Sequence, residues 1–300
     1  MEILCACDKV YVAHTATMLC SLLEHNPGSR IHMFHGADLS SELNTLTLFL
    51  SSYHSNILLY DLSDTCFTEL PTNEYFSTTI YYRLLAPYIL PKNINKILYL
   101  DSDLVVRRPL RELWKIDLDN YALAAVEDAK WNPKKQAFIS VFSMELAPGI
   151  KYFNSGVMLI NLSYWKLNAV SERAIAFVKK HRERLNFWDQ DALNAVLDGR
   201  WISLPAVWNA HHQHVAGVSR VADPAIVHYC GDIKPWHWRW HEVQHPYKYE
   251  YHRYRKRTPW RRYRLEGRPG WSRRMKQVAK RLLPLKVRQR LRFLIARTGA

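Results

Sequence analysis

Short apolar runs alternate with segments of helical period over most of the chain. The runs "EILCA", "RIHMF", "NILLYDL" and "KILYL" predict strands. Between the first two, "HTATMLCSLLEHN" places Met18, Leu19, Leu22 and Leu23 on one face and predicts a helix. Strands that are apolar on both faces belong to a sheet covered by helices on both sides. The pattern therefore predicts an open, Rossmann-like α/β sheet with parallel strands joined by crossover helices.

The same alternation continues through the middle of the chain. "SSELNTLTLFLSS", with Ser40 as its capping residue, and "IYYRLLAPYIL" predict two more helices. "YALAAVE", "SGVMLINL" and "AIVHY" predict further strands. Helices are expected over residues 170–182 and 189–197, where Asp189 is a candidate N-cap. We expect the sheet domain to end near Gln244.

Charge divides the chain into two parts. The 300 residues contain 42 Lys and Arg against 27 Asp and Glu, a net charge of +15. From Arg253 to the end there are 18 basic residues and a single acid, Glu266, whereas the preceding residues hold 24 basic and 26 acidic ones. We therefore predict a nearly neutral domain over residues 1–244 and a basic, aromatic-rich segment over residues 245–300.

The basic segment predicts a surface for an anionic partner. "WSRRMKQVAKRLL" and "KVRQRLRFLIARTGA" each carry an apolar stripe beside Lys and Arg, a pattern typical of helices that lie on anionic membranes. A helix packed on the domain is the plainer alternative, and nucleic acid is the competing anion, although no recognised nucleic-acid-binding module accompanies the charge. Aromatic residues interleave with the charge and would suit lipid headgroups or stacked bases: Tyr249, Tyr251, Tyr254, Trp260, Tyr263 and Trp271.

The cysteines and the N-terminus bear on location. The five cysteines are irregularly spaced, and Cys5 and Cys7 form C-x-C rather than C-x-x-C, which favours reduced thiols in the cytoplasm over zinc or disulfide frameworks. The N-terminus lacks the basic start of a signal peptide, and no apolar run is as long as a membrane span. We expect a cytoplasmic protein, attached peripherally to the inner face of the cytoplasmic membrane by its basic segment.

Two carboxylates follow one of the most apolar predicted strands. In "KILYLDSDLVV", Asp101 and Asp103 stand one residue apart at the strand's carboxyl end, where open α/β sheets bind ligands. Two carboxylates held together repel each other unless a cation lies between them or one is protonated. Oxygen ligands suit Mg²⁺ or Mn²⁺, ions that bridge to substrate phosphates. A solvated turn is the alternative explanation for D-x-D.

Three further strings carry candidate chemistry. "VHYCGDIKPWHWRWH" places His228 at a strand end, then Gly231 and Lys234, which suits a third metal ligand and a pyrophosphate cradle. "FWDQDALNAVL" offers Asp189 and Gln190 at a helix start. "YFNSGVMLINL" presents Asn154, Ser155 and Gly156 at the entry to an apolar strand. Each has a plain reading as a buried histidine, an N-cap or a turn.

In this order, the strand end "CACD", the D-x-D, "NSGVMLIN", "WDQDALN" and "HYCGDIKPWH" resemble the family 8 glycosyltransferases over roughly residues 1–241. The likeness is greatest to the bacterial galactosyl- and glucosyltransferases of lipopolysaccharide or lipooligosaccharide cores. It implies a GT-A fold, a Rossmann-like open mixed sheet flanked by helices. It also implies a UDP-hexose donor, Mn²⁺ (with Mg²⁺ possible), and a lipid-linked oligosaccharide acceptor. No nucleic-acid partner is implied.

The resemblance assigns roles to particular residues. Asp101, Asp103 and His228 would be metal ligands, and Asp189 and Gln190 would be catalytic. The wider donor site would comprise Ala6, Asp8, Tyr11, Arg83, Asp101, Ser102, Asp103, Asp128, Asn154, Ser155, Asp189, Gln190, Gly231 and Lys234. Within it, Tyr11 would stack on uracil, and Val10 departs from an Asn that relatives often use for the ribose. Family members retain anomeric configuration, and because the Gln190 amide is a poor nucleophile, front-face attack is favoured over a covalent intermediate on Asp189.

Two other function classes compete with this interpretation. A basic nucleic-acid-binding protein with structural carboxylates would bind DNA or RNA with steep salt dependence and would consume no UDP-sugar. A metal-dependent phosphoesterase would need further carboxylate or histidine ligands for a two-metal site, and the sequence offers no second cluster of that kind.

Overall fold

The computed structural model describes residues 1–36, 39–64, 70–72, 77–128, 151–216, 221–263 and 265–267. The chain forms two compact units. The larger comprises Met1–Pro235 together with Gln244–Tyr263, and the smaller comprises Trp236–Val243 together with Arg264–Ala300. Within the smaller unit, the backbone N–H of Trp238 donates to the carbonyl of Glu266 over 2.7 Å.

A seven-stranded mixed sheet forms the centre of the larger unit. Its strands are β1 (Glu2–Cys7), β2 (Arg30–His35), β3 (Ile57–Asp61), β4 (Lys96–Leu100), β6 (Leu123–Glu127), β7 (Phe153–Asn161) and β8 (Trp201–Leu204), in the order β3-β2-β1-β4-β7-β6-β8. Strand β7 runs antiparallel to both of its neighbours, and the other adjacent pairs are parallel. The predicted α/β class with an open mixed sheet is confirmed, whereas the expectation that all strands are parallel is wrong for β7.

A two-stranded sheet lies outside the central one. It pairs β5 (Leu104–Val106) antiparallel with β9 (Ile226–His228), and Leu104 stands opposite His228. The sequence predicted "AIVHY" as a strand of the central sheet, but its residues pair with the short apolar run that follows the D-x-D instead. Strands β5 and β8 were not predicted, because each is only three or four residues long.

Helices of the larger unit cover both faces of the sheet. Their bounds are α1 (Val12–His25), α2 (Ser40–Ser51), α3 (Ala86–Ile89), α4 (Arg111–Lys115), α5 (Leu162–Leu167), α6 (Val170–His181), α7 (Trp188–Leu197), α8 (His212–Ala216) and α9 (Glu250–Arg255). Three predictions need correction. Ser40 is the first residue of α2 rather than its cap, "IYYRLLAPYIL" is mostly a 3-10 helix (Thr78–Leu85), and Asp189 lies inside α7 rather than at its N-cap.

Strand β4 is buried on both faces, as its unbroken apolar run requires. Leu98 and Leu100 join the core cluster that contains α1 and α2, while Ile97 and Tyr99 join the cluster that contains α6 and α7. The strand ends at Leu100, so the two carboxylates that follow it emerge at the edge between both helix layers. Packing on both sides fixes the position from which they project.

Helix α9 lies beyond the predicted boundary at residue 244 yet packs against α1. The hydroxyl of Tyr251 lies 2.6 Å from His14 Nδ1, and that of Tyr254 lies 3.1 Å from His25 Nε2. Both tyrosines are buried, so the expectation that they meet headgroups or bases is wrong for these two. The functional division at 244/245 stays a prediction, with residues 244–263 packed as part of the larger unit.

Two predicted features lie outside the described residues. They are the two amphipathic segments after Gly270 and, except for Lys151, the loop over residues 129–151, which we expect to meet the acceptor. In the part of the chain that the structure describes, no helix combines the length and apolarity needed to cross a membrane.

Candidate active site

The site lies where the chain leaves the central sheet. Asp101 follows β4, and Asp103 directly precedes β5. The backbone N–H of Asp101 still donates to the carbonyl of Gly156 over 2.8 Å, and the carbonyl of Asp103 accepts from Tyr229 N over 2.9 Å. Backbone hydrogen bonds thus fix Asp101 to the central sheet and Asp103 to the segment that follows β9. The pairing of β5 with β9 places His228 next to both carboxylates.

The structure brings the three predicted metal ligands together. One ligand atom each from Asp101, Asp103 and His228 lie within 4.8 Å of one another. His228 Nε2 is 3.0 Å from Asp103 Oδ1 and 3.9 Å from Asp101 Oδ2. Two carboxylates with one imidazole fit a hard divalent cation such as Mn²⁺ or Mg²⁺.

Gly156 borders this group and leaves no room for a side chain. A Cβ there would lie 2.2 Å from His228 Cε1 and 2.7 Å from Asp101 Oδ2. Its backbone φ is not in the left-handed region, so the requirement for glycine is one of space rather than conformation. The sequence placed Gly156 at the entry to an apolar strand, with a turn as the alternative, and the structure confirms the strand: Gly156 lies in β7, against the candidate metal ligands.

Lys234 completes the electrostatics around Asp103. Its Nζ lies 2.5 Å from Asp103 Oδ2 and 3.0 Å from the carbonyl oxygen of Tyr229. Burial opposes ionisation of Asp103, but the charges of Lys234 and His228 outweigh it and hold the pKa of that carboxyl well below its usual range. Asp103 is therefore an anion at neutral pH, as a metal ligand must be.

Arg83 connects the candidate metal group to the candidate catalytic helix. Its guanidinium is buried, with Nη2 2.9 Å from Asp101 Oδ1 and Nη1 2.8 Å from the carbonyl oxygen of Ser155. The guanidinium carbon lies 4.2 Å from the centre of the Tyr99 ring, whose hydroxyl donates to the same Asp101 oxygen over 2.8 Å. Nε stands 3.2 Å from Asp189 Oδ2, so one cation serves two carboxylates.

Asp189 is buried with one oxygen incompletely bonded. The Nε–H of Arg83 is donated to the carbonyl of Ile80 over 3.1 Å, and Asp189 Oδ2 accepts no hydrogen bond from any described residue. Burial raises the pKa of Asp189 to about 6, with the charge of Arg83 acting in the opposite direction. A buried acceptor left open in this way costs stability and is typical of a ligand site.

Gln190 is held by four described groups. Its Oε1 accepts from Ser155 N over 2.9 Å and from the Ser155 hydroxyl over 3.3 Å, which identifies Oε1 as the oxygen. Its Nε2 donates to Asp128 Oδ2 over 3.1 Å and to the Tyr152 hydroxyl over 3.0 Å. Asn154 Nδ2 also donates to Asp128 Oδ2 over 3.4 Å. These contacts gather four residues of the predicted donor site, Asp128, Asn154, Ser155 and Gln190, beside Asp189.

The predicted nucleotide end lies at the carboxyl end of β1. Asp8 Oδ1 accepts the backbone N–H groups of Val10 and Tyr11, both over 3.0 Å, and Asp8 Oδ2 accepts from the Ser77 hydroxyl over 2.7 Å. This turn presents the Tyr11 ring, and burial raises the pKa of its phenol to about 12. Tyr11 therefore presents a neutral ring, whereas Val10 is exposed.

The remaining predicted donor residues surround the same edge. Ser102 stands between Asp101 and Asp103 in the chain. Its hydroxyl lies 2.7 Å from that of Thr15 and 3.3 Å from the Ala6 carbonyl oxygen. Gly231 has a φ of 118°, a backbone conformation that favours glycine. It lies in the turn between His228 and Lys234, as the cradle hypothesis requires.

Asn209 contacts His228 and was not predicted from the sequence. It is fully buried, and its Oδ1 lies 2.9 Å from His228 Nδ1. Its Nδ2 donates to Asn154 Oδ1 over 2.9 Å, and that same oxygen accepts the backbone N–H of Gly156 over 3.0 Å. In "VWNAHHQH" nothing distinguishes Asn209 from an ordinary turn residue, because its role depends on a contact 19 residues away.

This chain of hydrogen bonds assigns the His228 tautomer. A backbone N–H can only donate, so the Asn154 atom facing Gly156 is oxygen, and the Asn209 atom facing it must be nitrogen. The remaining Asn209 oxygen then accepts Nδ1–H of His228, so Nε2, the nitrogen facing Asp103, is the one that becomes a metal ligand when it gives up its proton. Orienting bonds of this kind are usual for metal-binding histidines.

The fold and this arrangement define a class of protein before any relative is considered. An open mixed sheet that ends in paired carboxylates, a histidine and a lysine is the architecture of a glycosyltransferase with a GT-A fold. The family model described as glycosyl transferase family 8 matches residues 2–239. The chain belongs to this family, which confirms the resemblance inferred from the sequence motifs.

Known relatives extend along almost the whole chain. General stress protein A of Bacillus subtilis is 29% identical over 282 residues, 87% of this chain and 94% of the relative. The lipopolysaccharide glucosyltransferase WaaO of Escherichia coli is 28% identical over 301 residues, 94% of this chain and 85% of the relative. The galactosyltransferase LgtC, crystallised with donor and acceptor sugar analogues, is similar with a TM-score of 0.77 and 25% identity, covering 86% of this chain and 96% of LgtC.

Asn209→Ala tests the hydrogen-bond relay. We expect the Mn²⁺ affinity to fall by about 10- to 100-fold, because His228 loses the acceptor that orients its ring. Electron paramagnetic resonance of free Mn²⁺ measures that affinity without any sugar substrate. Asn209→Asp, which keeps an acceptor for Nδ1–H, should restore part of it.

The matched control for the relay is Asn26→Ala. Asn26 is also buried and bonds Leu22 and Leu110, so its loss should lower the melting temperature and leave Mn²⁺ binding intact. Equal Mn²⁺ affinities of the wild type and Asn209→Ala would refute the relay.

Asp189→Asn tests the cost of the buried carboxylate. With a folded-state pKa of about 6, above the ordinary value of 3.8, the native state binds the proton more tightly than the unfolded state does. The unfolding free energy therefore falls as pH rises from about 4 to 6 and stays lower above it, by at most about 3 kcal/mol. We expect the Asn variant to melt higher than the wild type at pH 8, and this difference to shrink as the pH falls and to be small at about pH 4.

Thermal melts of the metal-free protein at both pH values measure this effect. Asp117→Asn, at an exposed carboxylate between α4 and β6, is the control for general charge removal. An Asn variant that is less stable than the wild type at pH 8 would contradict the assignment.

Proposed function

We propose that this protein is a retaining, metal-dependent hexosyltransferase that moves galactose or glucose from a UDP-sugar onto a lipopolysaccharide or lipooligosaccharide core. The observation that carries the proposal is the convergence of Asp101, Asp103 and His228 within 4.8 Å at the edge of a family 8 fold. Lys234 beside Asp103 adds the positive charge that a diphosphate requires.

Asp101, Asp103 and His228 would hold Mn²⁺ or Mg²⁺. When bound, such an ion neutralises negative charge that develops on a departing nucleoside diphosphate. Lys234 places a second positive charge beside Asp103. The turn at Gly231 would bring the backbone close to the phosphates of the donor. Tyr11 presents its neutral ring for uracil, next to the Asp8 turn and near Ala6 and Ser102.

The hexose would contact Asp189 Oδ2, the carboxylate oxygen that accepts no hydrogen bond from any described residue. Above a pH of about 6 this carboxylate is ionised and can accept hydroxyl groups of the sugar, and Arg83 holds it in place. Asp128, which accepts hydrogen bonds from Gln190 and Asn154, and Asn154 itself would supply further polar atoms. Galactose and glucose differ in one hydroxyl direction, so these few side chains would set the preference between them.

Front-face attack suits these contacts better than a covalent intermediate. Gln190 is an amide, and both of its polar atoms are already bonded to protein groups, so it can orient the sugar but not attack it. Asp189 is held by Arg83 and is the one carboxylate to test as a nucleophile. In front-face attack, the leaving phosphate would take the acceptor's proton, and the protein would supply positioning and charge.

The acceptor class is supported by relatives rather than by contacts. WaaO of Escherichia coli and a 1,3-galactosyltransferase of Salmonella typhimurium are named as lipopolysaccharide enzymes. A lipid-linked acceptor also fits the proposed division of labour, with a transferase domain over residues 1–244 and a membrane-associating segment over residues 245–300. We propose that the protein works in the cytoplasm, on the inner face of the cytoplasmic membrane.

A panel of UDP-sugars, assayed with Mn²⁺ and with chelator, tests nucleotide, sugar and metal together. We expect UDP release from UDP-galactose or UDP-glucose with Mn²⁺ and none with chelator. Asp103→Asn should lower kcat/KM by about 100-fold or more, since a bound cation contributes several kcal/mol to the transition state. Asp117→Asn serves as the control carboxylate. Activity that persists in chelator would refute the metal dependence, and salt-sensitive DNA or RNA binding without UDP release would favour the nucleic-acid alternative.

Deleting everything after Trp271 tests the membrane segment. The deletion removes most of the cationic charge, so binding to liposomes that contain anionic lipid should be lost, as measured by co-sedimentation. UDP release with a soluble acceptor should continue. Liposome binding that persists after the deletion would refute attachment through this segment.

A further inference from the structure

A second group of candidate metal ligands shares His228 with the first. One ligand atom each from His211, His228 and Cys230 lie within 4.8 Å of one another. The proposed function uses neither His211 nor Cys230. In the part of the chain that is described, these two trios are the groups of at least three His, Cys, Asp or Glu side chains that are close enough to hold one ion.

Backbone pairing builds this second group. The carbonyl of Ala210 accepts His228 N over 3.0 Å, and Ala210 N donates to the carbonyl of Ile226 over 2.9 Å. Residue 211 therefore runs beside the end of β9, and the His211 and His228 rings meet edge to face with centroids 5.6 Å apart. Cys230 follows His228 by two residues, and its side chain hydrogen-bonds the His228 ring.

The two trios differ in the kind of metal that they favour. Asp101, Asp103 and His228 offer mainly hard oxygen atoms, whereas His211, His228 and Cys230 offer two imidazoles and a thiol. Thiolate with imidazole is the ligand chemistry of Zn²⁺, and divalent zinc binds nitrogen and sulfur sites far more tightly than Mn²⁺ does. Three protein ligands with one open position would complete a tetrahedral site.

His228 can serve only one of the two trios at a time. Its Nδ1–H is donated to Asn209, so Nε2, once deprotonated, is its single nitrogen available to a metal. An ion held by the second trio would therefore take this nitrogen from the first. We propose that His211, His228 and Cys230 form an inhibitory Zn²⁺ site that excludes the activating cation by capturing the shared histidine.

Zinc capture displaces the thiol proton of Cys230. The sulfur–zinc bond forms as the S–H proton passes to solvent, the Nε2–H proton of protonated His228 passes to solvent as its nitrogen binds zinc, and no residue changes its oxidation state. The site is reversible for the same reason, because a chelator returns Cys230 to the thiol and His228 to the carboxylates. Regulation of this kind rests on the proposed function only for its effect on activity, since the binding itself requires no donor sugar.

The binding test uses the full chain without donor or acceptor. Co²⁺ is the spectroscopic substitute for Zn²⁺, and a thiolate ligand adds a near-ultraviolet charge-transfer band. We expect this band in the wild type and not in Cys230→Ser. A competition titration with a chromophoric chelator should show that Cys230→Ser and His211→Asn each weaken Zn²⁺ by at least about 10-fold, since loss of a ligand costs no less than loss of an orienting neighbour.

Controls separate this site from a zinc ion held by the carboxylates. His212→Asn changes the neighbouring imidazole, which is outside the trio, and should leave Zn²⁺ affinity unchanged. Neither Cys230→Ser nor His211→Asn should change Mn²⁺ affinity, measured by electron paramagnetic resonance. In the wild type, adding Zn²⁺ should release bound Mn²⁺ at one equivalent.

The measurements distinguish zinc bound through Cys230 from zinc bound by the carboxylates. No charge-transfer band in the wild type, with equal Zn²⁺ affinities of wild type and Cys230→Ser, would overturn the proposal and assign zinc to Asp101, Asp103 and His228. Zn²⁺ and Mn²⁺ bound together would overturn the exclusion. For activity, we expect Zn²⁺ to inhibit Mn²⁺-dependent UDP release, and Cys230→Ser to require at least about 10-fold more Zn²⁺. A protein that binds zinc through Cys230 but releases no UDP would contradict the proposed transferase and leave the zinc site standing.

Discussion

The site depends on keeping three acidic side chains close together inside the protein. Asp101, Asp103 and Asp189 would repel one another strongly in a medium of low dielectric constant. Arg83 lies between Asp101 and Asp189, and Lys234 and His228 lie against Asp103. The arrangement is nearly balanced in charge, which is why a carboxylate-rich edge can exist at the end of a buried strand.

The positive charges of the site compensate Asp103 more fully than Asp189. Asp103 has two cationic neighbours and a pKa held well below its usual range, whereas Asp189 shares one guanidinium and has a pKa raised to about 6 by burial. Two acids of one site therefore differ in how firmly they hold their charge. A buried carboxylate with an oxygen that no described residue hydrogen-bonds is suited to bind a polar substrate, because the substrate's hydroxyl groups can donate to it.

Much of the fold was readable from the sequence because it depends on local pattern. Unbroken apolar runs located β1 and β4, and helical period located α1, α6 and α7 within a few residues. The direction of β7 was not readable, since an apolar run has the same composition in either orientation. Strand β5 is too short to give a periodic signal, and its pairing with β9 joins segments more than 100 residues apart.

The site shows the same division between local and distant information. Asp101, Asp103 and His228 stand at strand ends in recognisable strings, so their convergence could be anticipated. Asn209 and Tyr99 act through contacts that no spacing reveals. For Tyr251 and Tyr254 the local composition gave a wrong prediction. A basic, aromatic-rich segment suggested a surface role, but their hydroxyls hydrogen-bond histidines of α1 and their rings are buried.

The reversed direction of β7 bears on where the chain can tolerate change. Because β7 runs against β4, its first residues lie beside the last residues of β4, and Asp128 after β6 is joined to Tyr152 by a backbone hydrogen bond of 2.9 Å. The chain positions on either side of residues 129–150 are therefore held together next to the candidate site. Insertions or replacements between two points fixed in this way can be accommodated without moving β6 or β7, and so evolution can vary this interval while the candidate metal ligands keep their positions.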